Sequence, residues 1–505
     1  MTRQQRDLGM LAVMPLVALV GLAIYQNHLL VLDHDSPDYM YFSRERPIGY
    51  PLFLGLVRMV FGSFAAAPYI QLGVLCFALG AVGWSVWRHT GSIWWGLALE
   101  LLLFLHPMLL VSGQIASDSL SISSIAFFTA IVVIIAGDER PPRWAAWALI
   151  GVTAVSITIR PVNVALVPAA IIALLVSKAC VRSSRRVQFL GLALGLTVAQ
   201  AAGPVVHWLR NDPPYPPSRS GPLARGLLVK TLFREWPLDA EADRCDGGLI
   251  SKVTQPVNAY LALVPSDIKP YLILSYDYLR FGVILPELAD AHPNTSVDPI
   301  IMCYAFRRIR SDPLFFIGDA VAQFWNLLTY YTFVSVDTHD KVDRYLKAHP
   351  PVTLPHLPFP ERDRLWDKAV HELRLDPAAF DLHEVQIKAP NARPQLLAVA
   401  MRVTQVAAAA VMIVGILVLS VGYVRRRPVN SQMLVIGILG VAFYGEMVIM
   451  ATLELAIPRY TYPLWPLCGG AIIAALLWSR KMFLENGLIS GMRAGQSENV
   501  QIREG

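Results

Sequence analysis

A bundle of about ten transmembrane α-helices carrying one large, mostly helical extracytoplasmic segment is the architecture expected of this chain, an all-α polytopic membrane protein. Three observations lead to it. Only 16% of the 505 residues are charged and 55% are hydrophobic, with a mean hydropathy of +0.47, whereas soluble domains run near 25% charged. The apolar residues gather in repeated stretches of about 18 to 24, each long enough for a hydrocarbon core of about 30 Å. The cations between those stretches are distributed one-sidedly. Collagen, coiled coil, disulfide scaffold and disordered chain are excluded by the same composition.

In chain order the spans are expected near 9–30, 66–87, 92–111, 119–136, 144–159, 161–177, 187–208, 397–421, 431–453 and 460–479. With a cytoplasmic amino terminus, the inner segments collect Arg3, Arg6, Arg88, Arg140, Arg143, Lys178, Arg182, Arg185, Arg186, Arg425, Arg426, Arg427, Arg480, Lys481, Arg493 and Arg503. The short outer segments hold only Arg44, Arg46, Arg58, Arg160, Arg402 and Arg459. Cations retained on the inner side fix the orientation, so the basic pI of 9.0 is topogenic and no nucleic-acid partner is expected. The first span has too long an apolar run for a signal-peptide core and reads as an uncleaved anchor. Four regions follow: a transmembrane module (1–208), an extracytoplasmic segment (209–396), three C-terminal spans (397–484) and a cytoplasmic tail (485–505). Both termini then face the cytoplasm of a bacterial inner membrane.

The outer segment, with 21 basic and 23 acidic residues over 209–397, is no flexible linker. The proline-rich stretch from Asn211 to Pro217 ends the seventh span in an extended conformation. From Pro222 to Trp236, leucines 223, 227, 228 and 232 with Phe233 form one apolar side, as expected of a helix lying on the bilayer surface. Asp298-Pro299 and Asp312-Pro313 each read as an N-cap followed by a first-turn proline. The second opens a helix near 313–336 whose Asp319, Gln323 and Asn326 share a face. That stripe places it at the outer interface, packed on the spans. Residues 361–374 read as a further amphipathic helix. Cys245 and Cys303 would form a disulfide if the compartment is oxidising; Cys76 and Cys468 fall in spans and Cys180 in an inner loop. His339, His356, His371 and His383 fit no zinc spacing and read as surface residues.

Charged groups are costly inside spans, so chemistry should concentrate at one water interface. The first outer loop crowds Asp33, Asp35 and Asp38 with Arg44 and Arg46. Later outer turns bring Asp118, Arg160-Pro161, and Glu454 with Arg459-Tyr460 to the same level, where a helical bundle would close them round one pocket. Glu100 and Glu446, inside spans three and nine, read as helix–helix hydrogen-bonding or protonated side chains.

Asp35-Ser36, Tyr39 and the run Arg46-Pro47-Ile48-Gly49-Tyr50-Pro51-Leu52-Phe53-Leu54 resemble the first periplasmic loop of GT-C glycosyltransferases of the ArnT and protein-mannosyltransferase type. His106-Pro107 followed by Ser117-Asp118-Ser119-Leu120 is similar to that family's second outer loop, where glutamate is more usual than Asp118. Arg160-Pro161 resembles its Arg-Pro after the fifth span, Arg307 to Phe316 a basic helix followed by Asp-Pro, and Glu454 with Arg459-Tyr460 and Pro463 its late Arg-Tyr turn. The resemblance covers residues 9 to 210 well and the last two spans loosely, and most of the outer segment matches no motif of the family.

The resemblance implies an inverting glycosyltransferase that moves a sugar from a polyprenyl-phosphate donor to an acceptor hydroxyl on a lipid, glycan or protein. Asp35, aligned with the family's first-loop aspartate, is the expected base, with Asp33 as substitute and Asp118 orienting sugar or base. Arg46, Arg160, Arg459 and Arg44 are the expected phosphate binders, and Tyr39, Tyr50, Tyr460 and Glu454 the supporting residues. No cofactor is expected. Asp33, Asp35 and Asp118 are the oxygen ligands a magnesium or manganese ion would use, but a lipid monophosphate already matched by arginines needs little further positive charge. The alternatives are a transporter of lipid-linked saccharide, and an O-antigen ligase or polymerase using a diphosphate-linked donor.

Overall fold

The computed structural model describes residues 2–26, 32, 35–43, 46–138, 141–176, 185–211, 222–232, 245, 248–265, 284–292, 296–329, 344–349, 367–373, 395–453 and 458–501. The regular elements of the described chain are helices joined by turns and short loops. The first half comprises α1 (Arg3–Gln26), α2 (Ser36–Met40), α3 (Gly49–Phe61), α4 (Ala67–Thr90), α5 (Ile93–Phe104), α6 (Asp118–Gly137), α7 (Arg143–Ile159), α8 (Leu166–Val176) and α9 (Arg185–Leu209). Then come α10 (Pro222–Leu232), α11 (Gly248–Ala262), α12 (Leu285–Ala291), α13 (Val297–Ser311) and α14 (Pro313–Thr329), and finally α15 (Gln395–Val424), α16 (Ser431–Leu453) and α17 (Trp465–Gln501). Tight 3-10 turns at Pro107–Gly113, Pro161–Ala165 and Pro458–Leu464 lead into α6, α8 and α17.

Seven helical segments are long and apolar enough to cross a membrane, where ten spans were expected. The other three expected spans fall on shorter apolar helices, Ile93–Phe104, Arg143–Ile159 and Pro161–Val176. Packing shows that these too run between the two ends of the bundle. Ser119, at the start of α6, donates to the carbonyl of Gln71, near the start of α4. At the other end of the same pair, a Cβ on Gly137 would meet the His89 ring at 2.7 Å. The two helices therefore lie parallel, and α5 between them must bring the chain back. By the same logic α7 is antiparallel to α6, since its last residue is followed by Arg160 paired with Asp118. Helix α9 follows α7 in parallel, Gly191 against Trp147 and Gly195 against Ala154, so α8 supplies another return. The α15–α16 hairpin closes backbone to backbone where a Cβ on Gly437 would lie 2.9 Å from the Gly415 carbonyl. The core between them is aliphatic, with Leu79, Ile125, Leu149, Leu166 and Leu439 buried.

A second core belongs to the non-membrane region, where Leu228, Ile250, Leu261, Leu288, Ile301 and Tyr304 pack together and a disulfide joins Cys245 to Cys303, with Cα atoms 5.8 Å apart. Two expectations change here. Helix α10 does not lie on a surface: Ala224, Leu227, Leu228 and Thr231 are buried, because its apolar side meets α13 and α16, and Gly226 abuts the carbonyl of Leu453. An apolar stripe is satisfied by protein as well as by lipid. Ser296, not Asp298, caps α13, its hydroxyl accepting from the Asp298 amide; Asp298 sits in the first turn, where its charge still favours the helix dipole. Asp312 does cap α14, accepting from Phe315 N at 2.9 Å. That helix packs on the bundle through Phe324 stacked on Tyr444 and through Gln405, which donates to Leu327 O at 3.3 Å. Leu314, Ile317, Val321 and Trp325 form an exposed ridge along it, and residues 330–336 of the expected helix lie outside the described residues.

Candidate functional site

The site is assembled at the end of the bundle where α4 and α6 begin and α7 ends. Asp35 precedes α2 without capping it by its side chain; its carboxylate pairs with Arg46 instead. Ser36 fixes the helix by donating to Ile115 O at 2.8 Å. Beyond α2 the chain turns back through Phe42, whose φ of +59° is left-handed, a conformation that costs a non-glycine residue about 1–2 kcal/mol. Packing holds it there: the Phe42 ring lies under the Arg210 guanidinium at 4.3 Å and reaches into the space left by Gly55. The reversal returns Arg46 over α2, where it forms ion pairs with Asp35 and, at 3.3 Å, with Asp38.

The next step depends on Gly49. A Cβ there would lie 2.8 Å from the Thr158 carbonyl carbon, so only glycine lets the start of α3 close on the last turn of α7. That contact brings the Arg46 loop beside Arg160, whose Nη1 pairs with Asp118 Oδ1 at 2.8 Å. Tyr39 bridges the two ion-pair groups. Its hydroxyl shares a hydrogen bond of 3.1 Å with Ser117, the residue before Asp118, and the Arg46 guanidinium lies 5.4 Å from its ring centroid. Burial, only partly offset by Arg46, holds the Tyr39 phenol above its ordinary pKa, so it stays neutral. Tyr50 packs edge-on to Tyr39 and donates to Gln71 Oε1 at 3.0 Å, while Gln71 Nε2 donates to the carbonyls of Ser112 and Gln114. One buried amide thus ties α3, α4 and the 107–113 turn together.

Of the residues expected at the site, Asp35, Asp118, Arg46, Arg160, Tyr39 and Tyr50 are therefore gathered at one end of the bundle. Asp33, Arg44 and Glu454 lie outside the described residues. Arg459 and Tyr460 have a described backbone, in a turn that packs on α6. Nothing in the sequence singled out Gln71, whose partners are distant in the chain; Ser117 entered only as part of the Ser117–Leu120 motif, and Asp38 was legible only as one acid among three. Glu446, expected either to hydrogen-bond across helices or to be protonated, has Oε1 buried without a hydrogen-bond partner among the described residues. Neither carboxylate oxygen of Glu100 has a hydrogen-bond partner among the described residues; its side chain fills the space over Gly83. Among the described residues no three His, Cys, Asp or Glu side chains gather as a metal site.

Residues 367–373 of the non-membrane region reach the same place. A short helix at 367–372 buries Ala369 and Val370, with Leu373 beyond it, in the cluster containing Tyr39 and Tyr50. Glu372 accepts from Tyr41 at 3.0 Å and pairs with Arg58 at 3.0 Å, and Lys368 Nζ lies 4.3 Å from the Tyr41 ring centroid. His371 is exposed; His339, His356 and His383 lie outside the described residues.

The chain matches no protein-family model, no curated protein and no solved structure. A mostly helical, multi-pass membrane protein of this form is consistent with the GT-C superfamily without being specific to it.

Proposed function

We propose that the protein is an integral-membrane inverting glycosyltransferase of the GT-C type, transferring a sugar from a polyprenyl-phosphate donor to an acceptor hydroxyl at the extracytoplasmic face of a bacterial inner membrane. One observation carries this reading: the Asp35–Arg46–Asp38 group and the Asp118–Arg160 pair stand side by side at one end of an apolar bundle. The motifs around Asp35, Arg46 and Arg160 support it. A lipid carrier whose chain stays in the bilayer presents the anomeric carbon at that level.

In this mechanism Asp35 takes the acceptor's hydroxyl proton as the oxygen attacks C1 from the face opposite the phosphate. The C1–O bond to phosphate breaks, its electron pair leaves on the polyprenyl phosphate, and the configuration at C1 inverts. General-base assistance of this kind contributes about 10²- to 10⁴-fold. Arg46 and Arg160 stabilise the charge growing on the phosphate, each able to bind two of its oxygens. Asp118 holds Arg160, and Tyr39 joins the two units.

Transfer of radiolabelled sugar from a polyprenyl-monophosphate donor by the purified protein tests the reading. Asp35→Asn is expected to lower the rate by about 10²- to 10⁴-fold and Arg46→Ala by a comparable factor. Wild-type rates in both variants would overturn it. Transfer from diphosphate-linked donors alone would favour a ligase or polymerase, and movement of the lipid across proteoliposomes without product a transporter.

A further inference from the structure

A second polar constellation lies at the opposite end of the bundle, among residues the proposed chemistry does not use. Between α1 and the last turn of α4 is a cavity of about 520 Å³ lined by Gln4, Asp7, Trp84, Trp87, Arg88 and Gly91. Its volume is in the range of small-molecule sites. Its opposite charges are set apart on different helices. Asp7 is only 6% exposed, and its ion pair is a long one, 3.7 Å to its neighbour Arg6, itself mostly in solvent. A carboxylate so withdrawn from water and so weakly neutralised calls for a cation. Two indoles line the same cavity, and indole faces are the strongest π partners for an ammonium.

The opposite wall is anionophilic. Arg88 binds Asp138 through Nε at 3.0 Å and lies over the Trp84 ring at 5.6 Å; among the described residues no bond engages its Nη groups, which can donate to a phosphate oxygen. Trp94, Trp144 and Trp147, exposed near the starts of α5 and α7, belong to the same end. Tryptophans so placed mark the level of lipid headgroups.

We infer that this cavity binds a phosphoethanolamine diester, with the ammonium on Asp7 and Trp87 and the phosphate on Arg88. At headgroup depth, the ligand of this chemistry is the headgroup of a membrane phospholipid; soluble glycerophosphoethanolamine offers the same groups without acyl chains. The binding is a non-covalent, structural one, separate from sugar transfer.

Native mass spectrometry of the full chain, released from detergent after incubation with phosphatidylethanolamine or phosphatidylglycerol, tests the inference. The wild type is expected to retain phosphatidylethanolamine at least about five-fold more than phosphatidylglycerol, as one cation–π contact and one charged hydrogen bond would give. Asp7→Asn, which keeps the side chain's shape, is expected to abolish that preference, and Trp87→Leu to reduce it. Arg88→Gln should weaken retention of both lipids. Competition by millimolar glycerophosphoethanolamine, lost in Asp7→Asn, would assign the site to the soluble ligand; its absence would assign it to the lipid. Equal retention of the two lipids by the wild type, or an unchanged preference in both Asp7→Asn and Trp87→Leu, would overturn the inference.

Discussion

Arg46 answers to two acids at once, Asp35 and Asp38, so a phosphate that takes the Nη2 side of this guanidinium must displace a carboxylate. Asp35 is the more exposed of the two, 26% against 15%, and partly solvated ion pairs are cheap to open, about 0.2–1 kcal/mol. In the proposed mechanism, donor binding would then free the carboxylate assigned as base. The Asp118–Arg160 pair differs in kind, with side chains 8% and 17% exposed. Removing one partner there strands the other, at about 3–5 kcal/mol. Arg46→Ala should therefore lose activity with less than about 1 kcal/mol of stability, while Arg160→Ala should be destabilised several-fold more in denaturant unfolding. Equal destabilisation would refute this division of labour. The direction of the Tyr39 shift gives a pH prediction. Burial raises the phenol above its ordinary value, so it is neutral throughout the range below about pH 10. The rate profile of Tyr39→Phe should keep the wild-type alkaline limb there; loss of that limb would show that Tyr39 ionises. Asp35, Arg46 and Arg160 were legible because charges are conspicuous in so apolar a chain. Gln71 was not, since what distinguishes it is a set of partners many residues away.

The short helix at 367–372 clamps α2 and α3 through Glu372, which holds Tyr41 and Arg58 together. It thereby braces the elements on either side of the loop bearing Arg46. Glu372→Ala should slow transfer about ten-fold with little change in donor KM, and Glu372→Asp should recover part of the loss; no effect on the rate would remove the clamp from the account. The Cys245–Cys303 bond closes a loop of 58 residues, worth up to about 4 kcal/mol by chain entropy. The Cys245→Ser/Cys303→Ser variant should accordingly expose the non-membrane region to protease while the bundle remains intact. The cap of α14 could be read from Asp312-Pro313 directly. That of α13 was misplaced by two residues because Ser296 and Asp298 are both good caps, and the choice between them depends on packing. Helix α10 was misread for a similar reason: an amphipathic pattern reports that one side must be covered and leaves the cover unspecified.

Ten apolar stretches were legible from composition alone, whereas seven helices meet the length of a full crossing. The remaining three are shortened by the 3-10 turns at Pro107 and Pro161 and by Pro142 before α7. Their end-to-end course shows only through the parallel neighbours α4 and α6, and α7 and α9. The arrangement puts the Asp35 cluster and the helix at 367–372 at one end, and the Arg425–Arg427 turn at the other. In a Cys180→Ser background, Ser63→Cys should react with an impermeant maleimide in intact cells, and Arg427→Cys only after permeabilisation; the reverse pattern would invert the proposed orientation. Whether two acid–guanidinium groups at one end of the bundle serve a lipid phosphate is best decided by an experimental structure with polyprenyl phosphate bound. The phosphate should lie within hydrogen-bonding distance of both Arg46 and Arg160, with Asp35 released from Arg46. A phosphate bound elsewhere, with both ion-pair groups undisturbed, would contradict the account.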